Sequence, residues 1–238
     1  MRHLHTYILF IVVLWLGLYL DGTLFVEYSS YGQWITNTLV LLTFGYLYTQ
    51  ANERVKKLMI YGVIIGFGGE ILFSIVLGMY TYRLSTLPLY VPFGHSIVYV
   101  TVYYLSKEPL ALRYQDIIIR WLYLFMIVYS LAWLIWGGDI FGFLCTLGIL
   151  WAFQKRPDGR LFFLIMFFAI VYLELVGTHY GTWVWPPVWF DKFTWITSAN
   201  PPSGISIFYF AFDMGCLWFY KRLHPDKWQR FKRVIKYR

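Results

Sequence analysis

The sequence predicts an all-α fold: a polytopic membrane helix bundle of about eight transmembrane helices in two parallel four-helix repeats. Three observations predict it. The 238 residues are 59% hydrophobic and only 13% charged, too apolar for a soluble domain and too long for a single anchor. Apolar stretches recur at close to the ~20 residues that cross a bilayer. Basic residues segregate into alternate connections, as the positive-inside rule requires of short loops.

Along the chain the spans fall near 5–20, 33–50, 58–80, 88–106, 117–136, 139–153, 161–185 and 201–220. The first has no small-x-small cleavage site before Asp21 and reads as a retained helix, not a signal peptide. With the N-terminus cytoplasmic, the inner segments carry Arg2; Arg54, Lys56 and Lys57; Lys107, Arg113 and Arg120; and Lys155, Arg156 and Arg160. Eight more Lys and Arg lie in 221–238, so eighteen of the twenty basic residues are inside and only Arg83 and Lys192 are outside. The expected organisation is one transmembrane domain over 1–220, with repeat halves at about 1–110 and 111–220. A basic cytoplasmic tail follows at 221–238. Both termini are cytoplasmic, and the expected location is a bacterial inner or plasma membrane.

Most of the net charge of +8 sits in that tail. Basic residues beside a membrane attract anionic lipid head groups. The expected partners are therefore membrane lipids, head groups at the tail and a lipophilic small-molecule substrate, with no nucleic acid. Cys145 and Cys216, the two cysteines, fall inside spans and read as small packing residues. Aromatics make up 23% of the chain. Tyr28, Tyr31 and Trp34, then Tyr80, Tyr82 and Tyr90, then Trp183, Trp185, Trp189 and Trp195 cluster at outer helix ends. They read either as an interfacial belt or as the lining for a long apolar ligand.

A repeat supports the duplication. Pro92-Phe93-Gly94-His95-Ser96-Ile97-Val98-Tyr99 and Pro202-Ser203-Gly204-Ile205-Ser206-Ile207-Phe208-Tyr209 share P-x-G-x-S-I-x-Y. Upstream, Glu70 precedes Gly78-Met79-Tyr80-Thr81-Tyr82, and Glu174 precedes Gly181-Thr182-Trp183-Val184-Trp185. Helices 3 and 4 thus correspond to helices 7 and 8. An even offset keeps their direction, giving a pseudo-twofold axis along the membrane normal. Gly62 and Gly66, Gly138 and Gly142, and Gly177 and Gly181 have the four-residue spacing of close helix contacts. Pro88, Pro92, Pro201 and Pro202 open helices 4 and 8, where a missing N–H costs little.

Ionisable residues at membrane depth are costly and face the bundle interior or a cavity. At 1.5 Å per residue, Glu70, His95 and Glu174 all fall roughly 18–20 Å from the inner surface of a ~30 Å core. A desolvated carboxyl can keep its proton at neutral pH and give it to an electron-rich substrate. Glu70, Glu174 and His95 are the candidate catalytic residues. His179, Tyr80, Tyr82, Trp183, Trp185, Asn200, Ser203 and Asp213 are candidates for substrate binding. The competing reading is that Glu and His bond to each other and merely tie the repeats together. The chain has no G-x-S-x-G, Walker loop, H-E-x-x-H or C-x-x-C. No cofactor and no metal are expected, a Glu/His metal site being the weaker alternative.

The stretches Glu70 to Pro92 and Glu174 to Pro202 resemble the integral membrane carotenoid hydratases. Those proteins also combine a buried Glu with glycines, a G-x-Y-x-Y-like stretch and a proline-led helix. The similarity covers about half the chain, and Asn200-Pro201-Pro202-Ser203-Gly204 departs from the pattern. It implies water addition to an isoprenoid double bond by acid catalysis. The expected function is a membrane-embedded enzyme acting on an isoprenoid or carotenoid-like substrate, a lyase or hydratase that hydrates or isomerises a double bond. A proton-coupled or lipid-translocating transporter and a non-catalytic assembly subunit are the alternatives.

Overall fold

The computed structural model describes residues 3–155, 159–226 and 228. Arg2, Arg156 and most of the basic tail lie outside the described residues. Helix α1 (Leu4–Val12) continues through a π-helical segment (Val13–Gly17) into α2 (Leu18–Asp21) as one rod, and a short α3 (Thr23–Val26) follows. Next come α4 (Gly32–Gln50), α5 (Glu53–Glu70) extended by a π-helical segment (Ile71–Val76), strand β1 (Thr81–Tyr82), α6 (Tyr90–Leu105) and a short α7 (Pro109–Arg113). The second half holds α8 (Gln115–Gly137), α9 (Ile140–Lys155), α10 (Arg160–His179), β2 (Trp183–Val184), β3 (Val188–Trp189), β4 (Phe193–Thr197) and α11 (Ile207–Leu223).

Four of these helices are long and apolar enough to cross a membrane: Leu4–Asp21, Glu53–Val76, Gln115–Gly137 and Arg160–His179. The helix Ile140–Lys155 is apolar but shorter. Arg160–His179 is the most enclosed of the four, with Leu164, Met166 and Ile170 fully buried. Gln115–Gly137 turns Trp121, Val128, Ile135 and Trp136 outward, as a helix solvated by lipid would.

Local chemistry sets the helix ends. Asn52 caps α5 by accepting from the N–H groups of Arg54 and Val55, satisfying donors that a helix start leaves orphaned. Helix α10 stops at His179 and does not run on to 185. Its end is a Schellman motif: Thr182 N–H bonds the Gly177 carbonyl, Gly181 N–H bonds the Thr178 carbonyl, and Gly181 takes the left-handed φ of +67°. Trp183 therefore sits on a strand, not on the helix. Helix α11 begins at Ile207, later than the 201 expected, and ends at Leu223, past the expected boundary at 220.

Only some of the four-residue glycine pairs are helix contacts. On α5, Gly62 and Gly66 face Ser96 and His95 of α6. Gly138 and Gly181 instead have positive φ and terminate α8 and α10. A Cβ on Gly204 would overlap the Gly142 carbonyl, so the chain leading into α11 lies directly on α9.

Candidate functional site

Glu70 is the last residue of α5 before its π-helical segment. The chain then turns at Gly78, whose φ is +61°, and the Met79 N–H closes the turn on the Phe73 carbonyl. The turn lays β1 back along the helix end. From it the Tyr80 and Tyr82 hydroxyls each donate to Glu70 Oε2, at 2.7 Å. Glu70 Oε1 lies 2.7 Å from His95 Nε2 on α6. Gly66, one turn before Glu70, leaves the imidazole its place: a Cβ there would stand 3.3 Å from the ring. The Glu70 carboxyl thus has three partners. It is 4% exposed.

Glu174, on α10 and 6% exposed, is held differently. The indole N–H groups of Trp183 and Trp185 both donate to its Oε2, at 2.8 and 3.1 Å. Its Oε1 receives no hydrogen bond among the described residues. Gly177 is needed here because a Cβ at that position would overlap the Trp183 indole.

The two donor sets meet in one small sheet. Strands β1 and β2 pair antiparallel, Thr81 opposite Val184 and Tyr82 opposite Trp183. Tyr80 packs on Trp185 with ring centroids 4.6 Å apart. Burial, and then the Glu70 carboxyl, push the Tyr82 phenol well above its ordinary range, so it stays a donor at any physiological pH. Glu70, His95, Glu174 and all four aromatics line a single cavity of about 470 Å³. The rest of its wall is mainly apolar, including Phe10, Leu14, Phe73, Ile205 and Phe212.

The remaining predicted residues lie outside that wall. His179 is exposed at the end of α10, its ring against Tyr180. Asn200 accepts the Trp185 backbone N–H at 3.0 Å and so supports the indole from behind. Ser203 is buried, its N–H donating to Asp139 at 2.7 Å. Asp213 is buried on α11, one turn beyond Tyr209.

Sequence reasoning passed over Asp21, Asp139, Arg83 and Tyr209. Asp21 receives the Arg83 guanidinium at 2.8 Å and the Tyr90 hydroxyl at 2.8 Å, tying the end of the first rod to the start of α6. Asp139 receives the backbone N–H groups of Gly142, Ala199 and Ser203, tying the start of α9 to the approach to α11. A signal for both was present: Trp15-Leu16, Asp21 and Phe25 have the spacing of Trp133-Leu134, Asp139 and Phe143. Tyr209, the last residue of the second P-x-G-x-S-I-x-Y, lines the cavity with its ring 5.0 Å from that of His95.

Among the described residues no three His, Cys, Asp or Glu side chains gather as a metal site. No protein-family model matches the chain, and neither a curated protein nor a solved structure matches it.

Proposed function

We propose that this protein is a membrane-embedded enzyme that hydrates or isomerises a double bond of a lipophilic, isoprenoid or carotenoid-like substrate. One observation carries the reading: two buried carboxyls with unlike partners face one apolar cavity. Pairs of titratable groups in contrasting environments are the usual mark of an acid and a base. Glu174 leaves Oε1 without a partner among the described residues, where a proton can be held and released. Glu70 is surrounded by donors and suits the role of base through His95.

The chemistry balances without a cofactor. The Glu174 proton adds to one alkene carbon, using the π electrons to form a C–H bond and leaving the neighbouring carbon cationic. The faces of Tyr80 and Trp185 suit that cation. Water bonds to it and gives up one proton to the His95–Glu70 pair. Return of that proton to Glu174 resets the site, and the product is alkene plus water. In isomerisation the cation instead loses a proton from a different carbon to the same His95–Glu70 pair, and its return to Glu174 closes the cycle. The resemblance to carotenoid hydratases points the same way.

Eight spans in two parallel repeats belong to this proposal. Each half has a Glu, a left-handed glycine and two aromatic donors to that Glu. Each half also has an Asp bonded to the segment that opens its last helix, Asp21 to Tyr90 and Asp139 to Ser203. Thr81 and Val184, equivalent in the repeat, stand opposite each other, as a twofold axis through that pair requires. The proposed setting is a bacterial inner membrane with both termini cytoplasmic. Single cysteines replacing Lys192 and Lys155 test it: an impermeant thiol reagent should label the first in intact cells and not the second.

The test of function is to add a linear carotene to membranes holding the protein and follow products by mass spectrometry. A product heavier by one water, or an isomer of unchanged mass, is expected from the wild type and not from Glu174→Gln. Proton flux on adding a solute to liposomes, with no product, would replace the enzyme by a transporter.

A further inference from the structure

The cavity wall is not evenly closed. Most of its members are buried, but Gly68, Leu72 and Ala211 are exposed, Leu72 at 46%. All three lie on α5 with its extension and on α11. These two helices run antiparallel along one seam. At one level the Ile65 side chain touches Gly215, a Cβ there standing 3.1 Å away. Two turns further along α5, Phe73 meets Phe208 edge-on with centroids 4.7 Å apart. Between these contacts along the two helices lie Gly68 and Gly69 on α5 and Ala211 on α11, all three lining the cavity. A Cβ on Gly68 would meet nothing within 4 Å, and one on Gly69 only the Phe73 ring at 3.9 Å. Small residues alone would mean little, but behind them lie the cavity and the polar end formed by Glu70 and His95.

We propose that the seam between α5 and α11 is a lateral window through which a single-chain apolar lipid of the isoprenoid class passes from the bilayer into the cavity, with the Phe73–Phe208 pair as its movable edge. This rests on the function proposed above and adds the route. The seam belongs to a helix apolar enough to be lipid-embedded, so the window faces hydrocarbon, not water. A volume of about 470 Å³ is near the lower end of the ~300–1,000 Å³ of ligand pockets. A long chain would keep the rest of its length in the window and the bilayer beyond. Phe73 stands on the π-helical segment (Ile71–Val76), a geometry that often marks functional sites in helices.

The test uses geranylgeraniol carrying a diazirine, incorporated with the full-length protein in nanodiscs of phosphatidylethanolamine and phosphatidylglycerol. After illumination, labelled peptides are mapped by mass spectrometry. In the wild type, peptides carrying His95 and Tyr209 should be labelled. Gly69→Leu combined with Ala211→Leu should cut that labelling at least tenfold, while Val128→Leu on the outward face of α8 should not. Phe73→Ala should raise the labelling rate several-fold. Wild-type labelling of the cavity in the blocked variant, folded as judged by thermal unfolding, would overturn the window and leave the enzyme reading standing. An unchanged rate in Phe73→Ala would overturn the movable edge. A cavity that stays unlabelled in the wild type would overturn both the window and the apolar substrate.

Discussion

Glu70 and Glu174 are each followed by a left-handed glycine and two aromatic donors, yet the first is held by two phenols and an imidazole and the second by two indoles. A phenol can donate, accept and exchange its proton, whereas an indole only donates. His95 adds an imidazole, whose two ring nitrogens can give and take a proton, and the matching position in the second half is Ile205. One carboxyl is thus connected to a chain of exchangeable protons. The other is fixed by donors that keep theirs. The two carboxyls thus have unlike surroundings, as the proposed acid and base require and a symmetric tether would not.

Substitutions at the carboxyls break the comparison hardest. Glu70→Gln and Glu174→Gln keep shape and most hydrogen bonding, so both should accumulate at normal levels. Each should lose about 10²-fold or more in turnover, the range for general acid–base groups. Normal turnover in both would return the pair to a structural tie.

Next comes the glycine under each cradle. Gly177→Ala puts a methyl into the Trp183 indole, whereas Gly66→Ala asks the His95 ring to give way from 3.3 Å. Overpacking costs about 1–3 kcal/mol. Gly177→Ala should fall at the top of that range and Gly66→Ala at the bottom, measured by thermal unfolding in detergent. The reverse order would mean that the Trp183 cradle is the looser of the two.

The donors sharpen the comparison further. Tyr82→Phe removes one bond from a carboxyl that keeps two partners, and Trp183→Phe removes one of only two from Glu174. The loss of such a bond is worth about 1.5–3 kcal/mol when its acceptor is charged and about 1 when it is neutral. If Glu70 is the ionised member, Tyr82→Phe should cost more than the hydrogen-bond part of Trp183→Phe, with Trp183→Leu calibrating lost packing. The smallest effects belong to the turns. Gly78→Ala and Gly181→Ala put a Cβ on a left-handed residue, at about 1 kcal/mol each, and Gly181→Ala should cost more because its Cβ would also stand 2.9 Å from Thr23, whereas one on Gly78 meets open space. Equal costs would show that the Thr23 side chain moves aside freely.

Much of the site could be read from the chain because charge is so scarce in it. Glu70, His95 and Glu174 stand out from apolar surroundings, and the glycine-aromatic pattern after each Glu is visible by eye. The cavity brings all three together with Tyr80, Tyr82, Trp183 and Trp185. Hydropathy could not show where α10 ends, because Trp183 and Trp185 are as apolar as the helix before them. Gly181 carried that information, and its spacing from Gly177 read as helix packing. Strands of two residues have no period to detect. Asp21 and Asp139 were not among the candidates because their partners are backbone N–H groups, or an arginine and a tyrosine more than sixty positions away. Arg83, outside the charge pattern, is that arginine.

The pairing of β1 with β2 has a thermodynamic consequence. The four Tyr and Trp donors to the two carboxyls lie on or next to the paired strands, Tyr82 opposite Trp183 in the ladder and Tyr80 against Trp185 just beyond it. A shift that loosens the grip on one carboxyl moves the other's donors as well. The hydrogen bonding at Glu70 and that at Glu174 are therefore linked, and linkage between sites is reciprocal. Tyr80→Phe and Trp185→Phe, which donate to different carboxyls, should be non-additive in a double-mutant cycle by about 0.5–3 kcal/mol. The ladder makes the two carboxyl cradles a single mechanical unit, so that neither can be rearranged without the other.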